Sequence, residues 1–91
     1  MKVILIDPDA VLEYFVEWQR WLAPFADQID TSAWLILPDT LTRVQEIKTA
    51  TRATIWLSGA VAGTVYLVTN RIRTLQGRED DRSFKLVGRE R

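Results

Sequence analysis

The chain contains neither cysteine nor histidine. Without cysteine there is no disulfide framework, no thiolate nucleophile and no thiolate metal ligand. Without histidine, the usual general acid–base near neutral pH and the commonest metal ligand are both missing. Carboxylate pairs or lysines can still run chemistry, but no cleft-forming motif accompanies them. The expectation is therefore a non-catalytic chain with no cofactor and no resident metal. An excess of charge of one sign is lacking as well: 12 basic residues balance 12 acidic ones. Nucleic-acid binders carry a basic patch or stripe, so no nucleic-acid partner is expected. A neutral surface also leaves self-association little opposed by repulsion. Glycine (4) and proline (3) are too sparse for a fibrous or low-complexity chain.

A long hydrophobic run is missing too, although one stretch comes close. Residues 53–70, "ATIWLSGAVAGTVYLVTN", are uncharged and lie between Arg52 and Arg71. They contain "GAVAG", the G-x-x-x-G spacing of packed membrane helices. A spanning helix needs about 20 mostly apolar residues. This window has 18, of which five are Thr, Ser or Asn. Its apolar residues also fall into two blocks, "ATIWL" and "VYLV", with small and polar residues between them. Two strands joined by a glycine turn explain that division; one helix does not. Gly59 and Gly63 then read as turn residues able to take positive φ. No membrane partner is expected.

The 91 residues suit a single domain with one modest core, covering 1–91, with residues 1–9 a candidate N-terminal arm. "MKVILIDPD" offers only four apolar residues between Lys2 and Asp7, too few for a secretory h-region of about 7–15. Synthesis in a reducing host cytoplasm follows as the expectation. Val3 to Ile6 form an apolar run that "DPD" ends. Residues 11–18 are ambiguous. A helix would be capped by Asp7 and would set Glu13, Glu17 and Arg20 opposite Val11, Phe15, Trp18 and Leu22. A strand would alternate Leu12, Tyr14, Val16 and Trp18 against Glu13, Phe15 and Glu17. Period alone favours the helix, because Phe15 spoils the strand's polar face, while the aromatic and β-branched content favours the strand.

Beyond Asp30 the pattern is clearer. Strands are predicted at 31–37, 41–49 (an exposed edge), 52–57, 64–74 and 82–88, with "LQGREDD" turning the chain. Six or seven short strands with turn signals every 8–12 residues or so predict an all-β antiparallel β-sandwich of about seven strands. The segment "LSGAVAGTVYLV" resembles fibronectin type III domains, in which Gly-Thr-x-Tyr opens the sixth strand. That resemblance makes Tyr66 a corner tyrosine, its hydroxyl bonded to backbone in the preceding connection. The plainer alternative is a half-buried strand tyrosine.

More of the chain resembles a family of small tailed-bacteriophage virion proteins, the fibre–tail adaptors. The matching residues are "DPD" (7–9), Trp18, Trp21-Leu22, "IDTSAW" (29–34), "WLSGAVAGTVYLVTNRI" (56–72) and "GREDDRS" (77–83), in the same order over nearly the whole length. Ala60 and Val61 stand where Gly and Thr are expected, and Glu17 where Asp is usual. The resemblance implies an immunoglobulin-like domain in the virion tail, joining tail or neck components to receptor-binding fibres. It further implies several copies in a symmetric assembly, and it favours the strand reading of 11–18.

Candidate sites follow. "GREDDRS" gathers Arg78, Glu79, Asp80, Asp81 and Arg82 near Arg71 and Arg73. The cluster can hold a divalent cation, form a solvated hairpin tip, or pair with charges of a neighbouring subunit; its spacing is not that of a calcium loop. The four tryptophans allow a second function, a glycan- or cell-surface-binding module that stacks sugars on exposed indoles. Trp34 and Trp56 read as core, while Trp21 is the candidate anchor for a partner. Residues 11–18 and 41–49 are candidate sheet edges at which a partner strand can add. The VILI arm can pair with its own sheet or a neighbour's.

Overall fold

Residues 12–17, where helical and strand periods compete, form a strand. Tyr14, Val16 and the following Trp18 point into the core. Phe15, the residue that spoils the alternation, lies on the outer face with the Arg52 guanidinium 4.3 Å above its ring. The computed structural model describes residues 1–89. The seven strands are β1 (Val3–Ile6), β2 (Leu12–Glu17), β3 (Ile29–Leu37), β4 (Thr42–Lys48), β5 (Arg52–Ser58), β6 (Val65–Thr74) and β7 (Glu79–Gly88). A single helical turn, α1 (Gln19–Leu22), continues into a 3-10 turn at Ala23–Phe25. Pro24 lacks an N–H and so cannot donate the next α-helical bond; Ala23 stays right-handed helical and the chain continues as a 3-10 turn instead. Ala26, left-handed at φ 49°, turns the chain towards β3.

The strands form two sheets, ordered β1-β7-β6-β3 and β2-β5-β4. All pairings are antiparallel except β1 with β7, where Val3 to Ile6 run parallel to Lys85 to Gly88. The sandwich is therefore mixed, a departure from the purely antiparallel expectation, and the VILI segment pairs within its own chain. Inward-facing residues of both sheets make one core, among them Ile36, Ile55, Leu57, Tyr66, Val68 and Leu86. β2 and β4 are the two edges of the smaller sheet, and every residue of β4 is exposed.

Two expectations need correction. The acidic run is not in a turn. The turn spans only Leu75–Arg78, closed by Thr74 N–H to Arg78 O at 2.8 Å and Gly77 N–H to Thr74 O at 3.0 Å. β7 starts at Glu79, so Glu79 and Asp81 are cross-strand partners of Arg73 and Arg71. Trp56 does not enter the core. Ala53, Ile55 and Leu57 take the inward side of β5, and Trp56 is half-buried on the outward one. Trp34, by contrast, is 6% exposed.

One polar link crosses the interior. The Trp18 indole N–H donates to Asn70 Oδ1 at 2.9 Å, and Asn70 Nδ2 donates to Ser32 Oγ (2.9 Å) and Ala33 O (3.1 Å). A buried amide left without partners is costly, and here each of its atoms has one.

The β5–β6 connection shows why its glycines are needed. Gly59 and Gly63 have φ of 80° and 84°. Val61 N–H donates to the Tyr66 hydroxyl at 2.9 Å, five residues downstream. Gly63 N–H donates to Gly88 O at 2.8 Å, and Gly88 N–H to Thr64 O at 2.9 Å. The loop thus lies directly on the end of β7, and a Cβ on Gly88 would collide with the Val61 carbonyl. Gly88→Ala is expected to cost about 1–3 kcal/mol through this overpacking. Gly63→Ala, where nothing lies within 4 Å of the new methyl, should cost less, because only backbone strain opposes it. Urea denaturation of the two variants checks the order.

Candidate partner-binding surface

The interface candidates flagged by sequence gather at the end of the sandwich where β2 leads into α1 and β6 turns into β7, whereas Gly59, Gly63 and Tyr66 lie at the β5–β6 connection against the end of β7. That end is organised by two arginines lying on aromatic rings. Arg82 places its guanidinium 4.3 Å from the Trp18 ring centroid and donates to Glu17 O at 2.8 Å. Arg78 lies 3.9 Å from the Trp21 ring and 4.4 Å from that of Phe25, and it donates to Trp21 O at 3.0 Å. Trp18 and Trp21 meet edge to face, centroids 5.4 Å apart. Each cation–π contact adds about 0.5–1 kcal/mol at such partly exposed positions. Together they fasten the β2–β3 connection to the β6–β7 hairpin.

Beneath this layer sits Asp27, whose side chain is fully buried. Its Oδ1 accepts from Gln28 N–H (2.9 Å) and Gln76 N–H (3.3 Å), and Oδ2 faces Arg78 Nε at 3.6 Å. Desolvation acts to raise the pKa of this carboxyl. The neighbouring Thr74 hydroxyl, the two backbone N–H groups and the Arg78 charge outweigh it and hold the carboxyl below its ordinary value. Composition alone did not point to Asp27; the signal was an aspartate in a polar "ADQID" stretch that the fold covers with Arg78.

The remaining charges stay outside. Arg71 and Asp81 pair at 3.4 Å with more than half of each side chain exposed, a contact worth about 0–1 kcal/mol. Arg73 and Asp80 are also exposed, and Asp80 Oδ1 accepts from the Asp81 N–H at 2.8 Å. Adjacent residues of a strand point to opposite faces, so Asp80 is turned away from Glu79 and Asp81 and the three carboxylates do not converge. Trp21 is only partly exposed, covered by Arg78, and none of the four tryptophans is exposed.

Each open side of the sandwich carries a cleft. Between β1 and β2 a 260 Å³ hollow is lined by Lys2, Ile4, Glu13, Tyr14, Phe15 and Phe84. Among the described residues the buried Tyr14 hydroxyl has no hydrogen-bond partner, and burial, followed by the charge of Glu13, pushes its pKa up. Between β3 and β4 a second hollow of 220 Å³ is lined by Ser32, Trp34, Glu46, Ile47 and Lys48. No helix among the described residues is long and apolar enough to cross a membrane.

Residues 7–87 match the family described as podophage GP4 fiber-tail adaptor protein gp77. The chain belongs to this family. The match takes in all of β2 to β6 and β7 up to Val87, so the family's unit is the sandwich itself and not one of its loops. No curated protein matches the chain.

The buried carboxylate yields a pH prediction. A group whose folded pKa is depressed contributes stability that is present above its unfolded value, here 3.8, and is lost as pH falls through the folded pKa. Urea midpoints of the wild type should therefore drop as pH falls below that value. Asp27→Asn should be less stable at neutral pH and should show a shallower acid limb. Arg78→Ala, which strips cover from both Trp21 and Asp27, should shift the midpoint further than Arg71→Ala.

Proposed function

We propose that the domain is a non-catalytic structural block of a phage tail, joining tail or neck components to receptor-binding fibres. The family match over residues 7–87 carries this reading, because it spans nearly the whole folded unit. The architecture supports it. The strand order β2-β5-β4 over β7-β6-β3 can be laid on the B-E-D and G-F-C sheets of constant-type immunoglobulin domains. The Tyr66 hydroxyl bond fits the tyrosine corner of that class. Such a block is stiff, and its surfaces rather than an active centre do the work.

The attachment surfaces are read on this geometry as the exposed charges Arg71, Arg73, Asp80 and Asp81 and the unpartnered edges β2 and β4. Arg78, Arg82 and Trp21 serve the same role indirectly, by holding that end of the domain in one shape. Other tail, neck or fibre proteins are the partners in this reading, and the virion tail is the location.

The test is genetic and structural. Particles assembled without this chain should keep capsid and tail but carry no fibres, when their protein content is weighed by mass spectrometry and their images compared. Fibres present at normal stoichiometry on such particles would sink the adaptor reading. A charge reversal at both Asp80 and Asp81 should lower fibre occupancy without unfolding the isolated domain. Unaltered assembly would remove those two residues from the interface.

A further inference from the structure

The outer face of the larger sheet is divided along its length. Alternation places Val3 and Leu5 of β1, Val65 and Leu67 of β6, Val87 of β7, and Leu35 and Leu37 of β3 outward at one end. Five of these, Val3, Leu5, Leu35, Leu37 and Val65, are more than half exposed. They form a contiguous band, because register sets Leu5 beside Val87 and Val87 beside Val65, and likewise Lys85 beside Leu67 and Leu67 beside Leu37. The other end of the same face is charged: Arg71 lies beside Asp81, and Arg73 beside Glu79. Apolar patches this continuous on soluble domains mark interaction sites.

We infer that this face binds a second copy of the chain through a two-fold axis running parallel to the strands. The sheet order β1-β7-β6-β3 has its midpoint between β7 and β6. Rotation about an axis there keeps the position along each strand and exchanges β7 with β6 and β1 with β3. Apolar band then meets apolar band, with Val3 opposite Leu37 of the copy. At the charged end Arg71 comes opposite the copy's Asp81, and Arg73 opposite its Glu79, each pair occurring twice. The face is thus self-complementary in charge as well as in polarity, which an isologous contact requires.

Other orientations do less well. An axis across the strands would set arginines and carboxylates on leucines, stripping them of water without partners. Sliding the copies until only the apolar ends overlap would avoid this but would halve the contact. Strands of four, ten, ten and nine residues, about 4.8 Å apart and rising about 3.3 Å per residue, give a face of roughly 520 Å² per copy. Two such faces bury roughly 1,050 Å², just above the threshold of about 1,000 Å² and below the standard range for specific interfaces, so the dimer is weak and needs its charged half. Face-to-face sheets also pack with strand directions within about 30° of each other, as this axis demands. Lys85, the one charge inside the band, can lay its stem along Leu67 of the copy and hold its amine at the rim.

This inference stands on the face alone and does not rest on the adaptor reading; it assigns Arg71, Arg73 and Asp81 to the contact between copies and leaves Asp80 and the edges β2 and β4 for other tail or fibre proteins. Sedimentation of the purified chain between about 1 μM and about 1 mM should show a monomer–dimer equilibrium. Arg71→Glu sets like charges across the axis, and so does Asp81→Arg; each should weaken the homodimer at least roughly ten-fold. The decisive sample is an equimolar mixture of these two single variants. When one Arg71→Glu chain faces one Asp81→Arg chain, both cross-axis pairs become attractive, and native mass spectrometry should find the heterodimer in excess. Neither chain's internal 71–81 pair is restored in that mixture, so recovery reports the contact between copies and shows that both variants are folded. Leu37→Lys should abolish dimers throughout. A wild-type chain that stays monomeric at about 1 mM overturns the inference, as does a dimer indifferent to both charge changes or a mixture that recovers nothing.

Discussion

The hydrogen bond from the Trp18 indole to the Asn70 amide joins the two sheets at a point where neither side can move alone. Asn70 is fully buried in β6, and its remaining donors are committed to Ser32 and Ala33 of β3. Any slip of β6 against β3, or of β2 against β6, would strand a polar atom in the core at a cost of about 1–3 kcal/mol. With Trp18 held this way, its ring becomes a platform. Arg82 covers one part of it, and Trp21 meets it edge-on. Arg78 in turn covers Trp21 and faces the carboxylate of Asp27. The end of the domain is a stack of dependent contacts built on one amide.

That dependence divides the charged residues into two populations. Arg78 and Arg82 are consumed in holding the β2–β3 connection and the β6–β7 hairpin together. Asp80 and Asp81 lie one or two residues from Arg82 along β7, Arg71 and Arg73 lie on the neighbouring β6, and all four remain in solvent. For Arg71, Arg73 and Asp81 the distinction is set by face. The side of β7 that carries Arg82 meets the aromatic cluster, whereas the outward side meets water, or whatever the domain docks against. An adaptor needs both: a shape that does not yield and a surface that is free.

Much of the architecture was legible because it follows from short-range rules. The two apolar blocks around "SGAVAG" announced strand, turn and strand, whereas in residues 12–17 the helical period and the aromatic and β-branched content pulled opposite ways and local residues left the choice open. Phe15 obscured the strand alternation because its ring is sheltered by Arg52 of the neighbouring strand, a contact no local window contains. The start of β7 was misplaced for a related reason. Three consecutive acidic residues look like a solvated turn, yet cross-strand pairing with Arg71 and Arg73 makes a strand acceptable there. Arg78 and Arg82 looked like surface charge since their aromatic partners lie more than fifty residues away in the chain. Gly88 gave no signal, because what forbids a side chain there is the fold of a distant loop.

The parallel pairing of β1 with β7 has a mechanical side. A pull that drew the start of β1 and the end of β7 apart would run along both strands in opposite senses. The rungs between Val3 and Gly88 would then be loaded together, in shear, and not opened one after another from an end. Such a seam gives way only when several bonds fail at once. If the block sits between tail and fibre as proposed, the orientation of one four-residue strand decides whether tension unravels the domain or is passed through it.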